Sequence, residues 1–335
     1  MSADIAALVL GCEGPVLSVA EREFFRDANP LGFILFRRNV ENPDQVRALV
    51  HDLRDSVGRH APILIDQEGG RVARLRGPHW PELPAARAVG DLSDADKATK
   101  AAWLHGRLLA AMLADLGIDV DCAPVADVPV PGAHDVIGDR AFAMDPDKVA
   151  RLAAAQAAGL LAGGVLPIVK HTPGHGRAFA DSHKELPVVP TKRADLEAWD
   201  FAPFKTLAHL PAAMVAHVVY TDIDADRPSS ISPIVIADIV RGHIGFDGLL
   251  FSDDLSMQAL SGTLGQRTAA VLAAGCDVAL HCNGQRTEML DVAAHGRALD
   301  AAGRRRWSAA SALVTAAPPT DINALRAEFD RLLAG

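Results

Sequence analysis

The chain alternates short apolar segments with longer amphipathic segments almost from end to end. Short apolar runs that are bounded by polar or turn residues are typical of buried strands. Such runs predict strands near residues 7–12, 32–36, 62–66, 118–123, 166–169, 212–219, 248–252 and 277–281. The runs GFILF at 32–36 and GLLFS at 248–252 are apolar at nearly every position, which indicates parallel strands that are buried on both faces.

Capping residues and helical spacing predict a helix after most of these strands. Asn42-Pro43, Asp145-Pro146 and Ser232-Pro233 each combine a capping side chain with a proline at the first helical position. The predicted helices lie near residues 21–27, 42–53, 93–116, 145–163, 193–209, 232–242, 258–275, 285–296, 302–316 and 320–334. This alternation predicts an α/β fold, a (β/α)8 TIM barrel that forms a single domain over residues 1–335, with C-terminal helices at about 302–334 completing its shell.

A doubly wound open sheet is the competing fold. That fold is expected to carry a glycine-rich phosphate-binding turn after its first strand. The corresponding residues here, LGCEGP at 10–15, match such a turn poorly. The barrel is therefore the preferred interpretation.

Composition and charge argue against several classes of protein. Of the 335 residues, 49% are hydrophobic and 22% are charged, which is ordinary for a globular chain with a large core. The net charge of −9 and the aromatic content of 5% argue against a nucleic-acid surface. No apolar run approaches the roughly 20 residues of a membrane helix. We expect neither nucleic acid nor membrane as a partner, and a monomer is the default.

The cysteines and the N-terminal segment favour a cytoplasmic location. Cys12, Cys122, Cys276 and Cys282 lie inside or at the end of apolar runs, and no CxxC or zinc-type spacing occurs. Buried, reduced thiols are therefore expected. Residues 5–12 (IAALVLGC) look like a short export signal, but no Lys or Arg precedes them. We interpret this segment as the first strand.

The carboxyl ends of the predicted strands carry most of the candidate chemistry, and TIM-barrel active sites lie at that end. The polar residues that follow the strands are Asp66, Gln67, Glu68, Arg71, Arg74, Asp127, Asp139, Arg140, Lys170, His171, His217, Tyr220, Asp222, Asp253, Asp254, His281 and Asn283. Arg71 and Arg74 are either surface charges or partners of Glu68. His217 and His281 are expected to be hydrogen-bonded structural residues.

A long polar loop at about 171–190 follows the fifth predicted strand. Loops of this length inside a compact domain are usually functional or disordered. Asp181-Ser182-His183 separates a carboxylate from an imidazole by one residue, and such a pair can transfer a proton. His175 lies between two glycines and is open to a simpler interpretation as a turn residue.

A set of motifs carries a family resemblance. The motifs are DQEGGRVARL at 66–75, GDRAF at 138–142, KHTPGHG at 170–176, DSHKELPVV at 181–189, AHVVYTDIDADRPSSISP at 216–233 and GFDGLLFSDDLSM at 245–257. In this order they resemble glycoside hydrolase family 3, and more narrowly its bacterial cytoplasmic β-N-acetylhexosaminidases, which recycle cell-wall fragments. The resemblance covers roughly residues 5–300.

The resemblance implies a retaining enzyme that removes terminal N-acetylglucosamine from peptidoglycan-derived muropeptides through a covalent glycosyl-enzyme intermediate, with no metal and no cofactor. Asp253 matches the nucleophile, His183 the general acid/base and Asp181 the residue that pairs with it. The positions that hold the sugar ring are matched by Asp66, Arg74, Arg140, Lys170 and His171. Thr172 departs from the family pattern, in which an aromatic residue is common after Lys-His.

Other functions remain open from the residues alone. Histidines and aspartates at strand ends are also the ligands of metal-dependent hydrolases, although paired ligand spacing is missing here. A sugar-binding protein without activity is a third hypothesis. Phosphorolysis of an N-acetylglucosaminide is a variant of the family 3 hydrolase hypothesis. A histidine that can be neutral would tolerate phosphate as the attacking group, whereas a carboxylate would repel it.

Overall fold

A closed parallel barrel forms the centre of the protein. The computed structural model describes residues 4–182, 184–315 and 320–334. The barrel strands are β1 (Ala6–Leu10), β2 (Pro30–Leu35), β3 (Ile63–Ile65), β4 (Val120–Asp121), β5 in two segments (Leu166–Pro167 and Val169–Thr172), β6 (Ala212–Val215), β7 (Leu249–Asp254) and β8 (Val278–His281). The first segment of β5 pairs with β4 and the second pairs with β6, so the sheet closes. The predicted TIM barrel is confirmed.

Helices surround the barrel, and several begin where the sequence predicts. They are α1 (Val19–Ala28), α2 (Pro43–Val57), α3 (Ala86–Gly90), α4 (Ala95–Ala114), α5 (Pro146–Ala162), α6 (Arg193–Ala198), α7 (Ala202–Thr206), α8 (Leu264–Ala274), α9 (Arg286–His295), α10 (Ala301–Ser311) and α11 (Ile322–Leu333). The predicted caps of α2 and α5 are confirmed. Asn42 accepts the backbone N–H of Gln45, and Asp145 accepts that of Lys148.

The strands are buried on both faces, which is why they read as continuous apolar runs. Every residue of β2 is buried. Phe33 of β2 packs edge-on against Phe25 of α1, with 4.9 Å between the ring centroids. Burial of a side chain of this size contributes on the order of 1.5–3 kcal/mol to folding. The core is therefore continuous from the barrel strands to the surrounding helices.

The sixth strand is shorter than the predicted 212–219. It leaves the barrel after Val215, and the segment Val219–Tyr220 pairs with Val188–Val189 in a separate two-stranded sheet. The predicted fourth strand, 118–123, is likewise reduced to β4. Apolar character alone does not distinguish barrel strands from the buried segments that continue them, because both are covered.

The predicted helices at 193–209, 232–242 and 258–275 also differ from the observed ones. The first is divided into α6 and α7. The second is a π-helical segment, Val235–His243, although the Ser232 hydroxyl accepts the N–H of Val235 as a cap would. The third begins only at Leu264, because Thr263 and Gln266 form a capping box there.

The C-terminal helices pack on the outside of this barrel. Phe329 of α11 is fully buried, and its ring lies 5.7 Å from that of His105 in α4. Arg306 of α10 contacts Asp277, the residue before β8, at 2.9 Å. The assignment of residues 1–335 to one domain stays a prediction. Among the described residues, no helix is long and apolar enough to cross a membrane.

Candidate active site

A cavity of about 340 Å³ opens at the carboxyl ends of the strands. Its walls include Phe36, Arg38, Asp66, Glu68, Arg74, Arg140, Lys170, His171, His175, Ser182, Asp253, Asp254 and Met257. The structure therefore brings Asp253 together with all five residues that the resemblance assigns to the sugar ring. His183 lies outside the described residues.

An alternating network of charges forms one wall of this cavity. The Lys170 ammonium donates to Asp66 at 2.7 Å and lies 2.7 Å from a carboxylate oxygen of Glu68. The Arg74 guanidinium donates to the other carboxylate oxygen of Asp66 at 2.9 Å. Arg140 donates two hydrogen bonds of 2.8 Å to Glu68, one to each carboxylate oxygen. The network links residues that follow β3 and β4 with Lys170 in β5.

This network keeps its acidic and basic groups ionised. Burial alone would raise the pKa of Asp66, but Lys170 and Arg74 hold it well below its usual range. Burial likewise opposes ionisation of Glu68, yet Arg140 and Lys170 lower the pKa of its carboxyl to about 2. Burial would lower the pKa of Lys170, but the Asp66 and Glu68 carboxylates raise it. The wall therefore presents fixed charges near neutral pH.

Glu68 is a functional candidate that was not assigned from the sequence. Of the two alternatives for Arg71 and Arg74, surface charges or partners of Glu68, the first is confirmed for Arg71, and neither arginine pairs with Glu68. Arg71 pairs with Asp139 at 3.1 Å on the surface, while Arg74 pairs with Asp66. Its position directly after β3, at the carboxyl end of a strand, is the feature of the sequence that could have identified Glu68 as a site residue.

Gln67 fixes the backbone that carries Arg74. Its Oε1 atom accepts the N–H groups of Arg74 and Leu75 at 2.8 and 3.0 Å, and its Nε2 atom donates to the Leu75 carbonyl at 3.0 Å. The Arg74 guanidinium also lies over the Phe36 ring, 4.9 Å from its centroid. These contacts give Arg74 one orientation toward Asp66.

A buried aspartate supports His171 from behind. The Nδ1–H group of His171 donates to Oδ2 of Asp127 at 2.6 Å, and Asp127 has no exposed surface. Burial would raise the pKa of Asp127, but the two neighbouring histidines, His171 and His175, lower it. Asp127 was noted as a strand-end residue without a role. The ionised carboxylate orients the His171 ring, whose far side lines the cavity.

The end of β7 holds Asp253 in a closely bonded turn. An oxygen of Asp253 accepts the N–H of Asp254 at 2.8 Å. The side chain of Asp254 accepts the N–H of Cys282 at 3.0 Å, which ties β7 to the end of β8. His217 donates from Nε2 to the Asp254 carbonyl at 3.0 Å, and its Nδ1 atom lies 2.6 Å from the Ser230 hydroxyl. The prediction of His217 as a hydrogen-bonded structural residue is confirmed.

His281 is buried at the end of β8, but its contacts differ from the prediction. Its Nε2 atom lies 3.4 Å from Oε2 of Glu288, and neither ring nitrogen makes a hydrogen bond within the described residues. Burial lowers the pKa of His281. The expected hydrogen-bonded structural role is therefore not observed for this residue.

Asp181 lies on the loop after β5 and outside the residues that line the cavity. Its backbone carbonyl accepts the N–H groups of Lys184 and Glu185 at 2.8 and 3.0 Å. A carboxylate oxygen lies 3.9 Å from the Lys184 ammonium. Because residue 183 is outside the described part, the pairing of Asp181 with His183 stays a prediction.

No metal centre is evident in the described ranges 4–182, 184–315 and 320–334. Within them, no group of three His, Cys, Asp or Glu side chains is arranged to hold a metal ion. The strand-end acids are engaged by Lys170, Arg74, Arg140 and His171 instead. Binding a metal at these acids would require breaking those ion pairs.

Comparison with known proteins gives one consistent result. The profile of the Glycosyl hydrolase family 3 N terminal domain matches residues 15–309. The beta-hexosaminidase of Bordetella avium (strain 197N) is 42% identical over 284 residues, which are 81% of this chain and 81% of that protein. The beta-hexosaminidase of Chromobacterium violaceum is 43% identical over 284 residues, which are 81% of this chain and 79% of that protein.

Solved structures agree with the sequence relatives. NagZ from Neisseria gonorrhoeae in complex with N-trifluoroacetyl-D-glucosamine superposes with a TM-score of 0.87 at 34% identity, over 99% of this chain and 98% of that chain. A second structure of NagZ from the same organism, in complex with a zinc ion, gives a TM-score of 0.87 at 32% identity, again over 99% and 98%.

Proposed function

Since the chain belongs to glycosyl hydrolase family 3 and is a glycoside hydrolase of the β-hexosaminidase type, we propose that it is a retaining exo-β-N-acetylglucosaminidase. Asp253 acts as the nucleophile, His183 as the general acid/base, and Asp181 pairs with His183. The observation that carries this proposal is the shared cavity, in which the Asp253 strand end faces the fixed charges of Asp66 and Lys170.

The size of the cavity supports removal of one terminal sugar. Ligand pockets commonly measure about 300–1,000 Å³. At about 340 Å³, this cavity lies at the low end of that range and suits a single N-acetylated sugar ring. The aglycone would then extend toward the more exposed lining residues, which include Arg38 and Asn283. This arrangement supports an exo mode of action.

The polar wall supports recognition of sugar hydroxyl groups. Asp66 accepts hydrogen bonds, whereas Arg74 donates them, and the two are joined at 2.9 Å. Adjacent hydroxyls of a sugar ring each offer a donor and an acceptor, so this pair would bind two of them together. Lys170, Arg140 and His171 complete the proposed sugar subsite.

In the first step, a carboxylate oxygen of Asp253 attacks the anomeric carbon and the bond from that carbon to the aglycone oxygen breaks. The protonated His183 donates its proton to the departing oxygen, so the aglycone leaves as a neutral alcohol. A glycosyl ester on Asp253 remains. The transition state has oxocarbenium-ion character, which the adjacent carboxylate stabilises.

In the second step, a water molecule attacks the anomeric carbon and the ester bond to Asp253 breaks. His183, now neutral, accepts a proton from the attacking water and returns to its starting state. Two inversions give net retention of configuration. An imidazole with an unperturbed pKa near 6.5 can serve both steps without a large shift.

The natural substrate and setting belong to the same proposal. We assign as substrate the muropeptides released from peptidoglycan, which end in β-linked N-acetylglucosamine, and we place the enzyme in the cytoplasm as a monomer. Four buried, unpaired cysteines support a reducing location. A carbohydrate is the expected partner, with neither nucleic acid nor membrane involved.

The decisive assay compares 4-nitrophenyl N-acetyl-β-D-glucosaminide with the plain β-glucoside, with and without chelator, for wild type and Asp253→Ala. We expect release from the N-acetyl substrate alone, insensitivity to chelator, and loss in the variant. Activity that disappears with chelator and returns with metal would instead favour a metal-dependent hydrolase. Folded wild type that binds the sugar but releases no nitrophenol would favour a binding protein.

Phosphorolysis is tested in the same assay by adding inorganic phosphate. Hydrolysis predicts free N-acetylglucosamine as the product at every phosphate concentration. Accumulation of the sugar 1-phosphate in proportion to added phosphate would identify the phosphorylase alternative.

A further inference from the structure

Ser182, the middle residue of Asp181-Ser182-His183, is held from two sides. Its Oγ atom lies 3.0 Å from Nε2 of His175. Its carbonyl oxygen accepts the backbone N–H of Ala259, in the turn after β7, at 3.3 Å. Only 3% of Ser182 is exposed. The tripeptide is therefore attached to the barrel through its central residue.

His175 is itself fixed to the barrel through its backbone. Its N–H group donates to Oδ1 of Asp127 at 2.6 Å. A Cβ atom at Gly176 would lie 2.1 Å from the Val128 carbonyl oxygen, so only glycine allows this close approach. The backbone of the Gly-His-Gly sequence therefore packs closely against the segment after β4, at Val128. In this position the imidazole of His175 points toward Ser182.

We propose that His175 and Ser182 are positioning residues, whose hydrogen bond sets the orientation of Asp181 and His183 relative to Asp253. The connection runs from Asp127, after β4, through His175 to the tripeptide. This inference rests on the proposed function, because it assigns to the pair the support of the acid/base step described there.

Support of this kind is needed because the tripeptide belongs to a long loop. Proton transfer requires the donor and acceptor atoms to lie within hydrogen-bond reach. A misplacement of about 1 Å can cost about 100-fold in rate. Burial, together with the neighbouring His171, lowers the pKa of His175 to about 4. Near neutral pH, His175 therefore contributes a hydrogen bond and no charge.

Leaving-group dependence separates this role from a merely structural one. We measure kcat/KM for two N-acetyl-β-D-glucosaminides, one with a 2,4-dinitrophenyl and one with a phenyl leaving group, because only the phenyl substrate depends strongly on proton donation. Ser182→Ala is expected to lose about tenfold or more on the phenyl substrate and less than about threefold on the dinitrophenyl substrate. Ser182→Thr keeps the hydroxyl and is expected to recover most of the loss.

Variants of the other partner extend the test. His175→Ala removes the imidazole and is expected to show the same selective loss as Ser182→Ala. His175→Gln places an amide near the former Nε2 position and is expected to recover part of the activity. Ser229→Ala is the matched control, because Ser229 is fully buried and donates to the Val218 carbonyl at 2.7 Å. It is expected to leave both substrates unaffected.

Equal losses on both substrates, or no loss on either, would overturn the positioning role. His183→Ala, assayed alongside, separates this failure from failure of the proposed function. If His183→Ala shows no leaving-group dependence, the acid/base assignment itself is wrong. If His183→Ala shows it and folded Ser182→Ala and His175→Ala do not, only the present inference is wrong.

Discussion

The Nδ1 atom of His171 lies 2.6 Å from the Oδ2 atom of Asp127. The other oxygen of the same carboxylate accepts the backbone N–H of His175 at 2.6 Å. Asp127 therefore supports both parts of the proposed site, the sugar subsite through His171 and the acid/base loop through His175. An ionised carboxylate can serve two donors in this way because both of its oxygens are acceptors.

Asp127→Asn is expected to lower kcat/KM by about 10- to 100-fold. Good and poor leaving groups both lose activity through His171, and poor leaving groups lose more because the loop held through His175 is also disturbed. An amide has only one acceptor oxygen, so its NH2 group must face either the His171 ring or the His175 N–H group. One of these two hydrogen bonds is therefore lost. Steady-state kinetics and thermal denaturation check this, with Asp222→Asn, a surface ion-pair change, as the control. Folded Asp127→Asn with wild-type kinetics would contradict the role given to Asp127.

Lys170→Met is expected to reduce the free energy of unfolding by about 3–5 kcal/mol near pH 7. The substitution removes the cation that Asp66 and Glu68 share and leaves two buried carboxylates short of a partner. Denaturant unfolding measures the difference. Lys192→Met removes an exposed ion pair with Asp222 and is expected to cost less than about 1 kcal/mol. Similar costs for the two variants would refute the buried network as a source of stability.

The stability difference between the wild type and Lys170→Met is expected to depend on pH. In the wild type, the lowered pKa values of Asp66 and Glu68 stabilise the fold above the unfolded values, about 4. That contribution is lost as the pH falls through the folded pKa, about 2 for Glu68. In Lys170→Met, the pKa values of the Asp66 and Glu68 carboxyls rise because the ammonium is gone, although Arg74 and Arg140 still lower them. The variant therefore loses less stability on acidification than the wild type, and the stability difference between the two proteins shrinks as the pH is lowered from 7 to 4. A stability difference that stays constant with pH would show that the lysine does not control these carboxyl groups.

His183→Ala is expected to spare substrates with very good leaving groups and to impair natural disaccharides by about 100-fold or more. A nitrophenolate departs without protonation, whereas a sugar hydroxyl does not. The measurement is kcat/KM on both substrate types at one pH. Equal losses on the two would rule out proton donation by His183.

The cysteines are expected to resist thiol reagents in the folded protein. All four are buried, and burial raises the pKa of Cys12 to about 12 and, like the nearby acids, raises the pKa of Cys282. Titration with a chromogenic disulfide at pH 8 should therefore show little reaction before denaturant is added and full reaction afterwards. Rapid labelling of Cys282, which borders the cavity, would indicate that the site opens more widely than the structure shows.

The sequence predicted the fold well because the barrel strands are covered on both faces. Runs such as GFILF and PILID have no polar face, and only a parallel sheet enclosed by helices accounts for several of them in one chain. Helix starts at Asn42 and Asp145 were predictable from a capping residue followed by proline. The pairing of Val188–Val189 with Val219–Tyr220 was not, because it depends on how two loops meet after the chain has folded.

Residues that line the cavity were predictable one by one, but their pattern of contacts was not. Strand ends and family resemblance identified Asp66, Lys170 and Arg140 individually. Glu68 joins two of them, and it lies 72 residues from Arg140 in the chain. Such partners follow from the spatial order of the strands, which spacing along the sequence does not contain. For the same reason, Asp127 was visible as a strand-end acid, while its bonds to His171 and His175 were not.

Covalent participation of Asp253 is tested most directly by trapping the glycosyl-enzyme. A 5-fluoro derivative of N-acetylglucosaminyl fluoride has a good leaving group, and its ring fluorine slows breakdown of the ester. Wild type and Asp253→Ala are incubated with the probe, quenched in acid and mapped by peptide mass spectrometry. We expect one fluorinated N-acetylhexosaminyl group on the wild-type peptide that contains Asp253, and none on the variant. A sugar adduct at a different residue, or turnover that releases the inverted anomer without any adduct, would contradict the double-displacement mechanism proposed here.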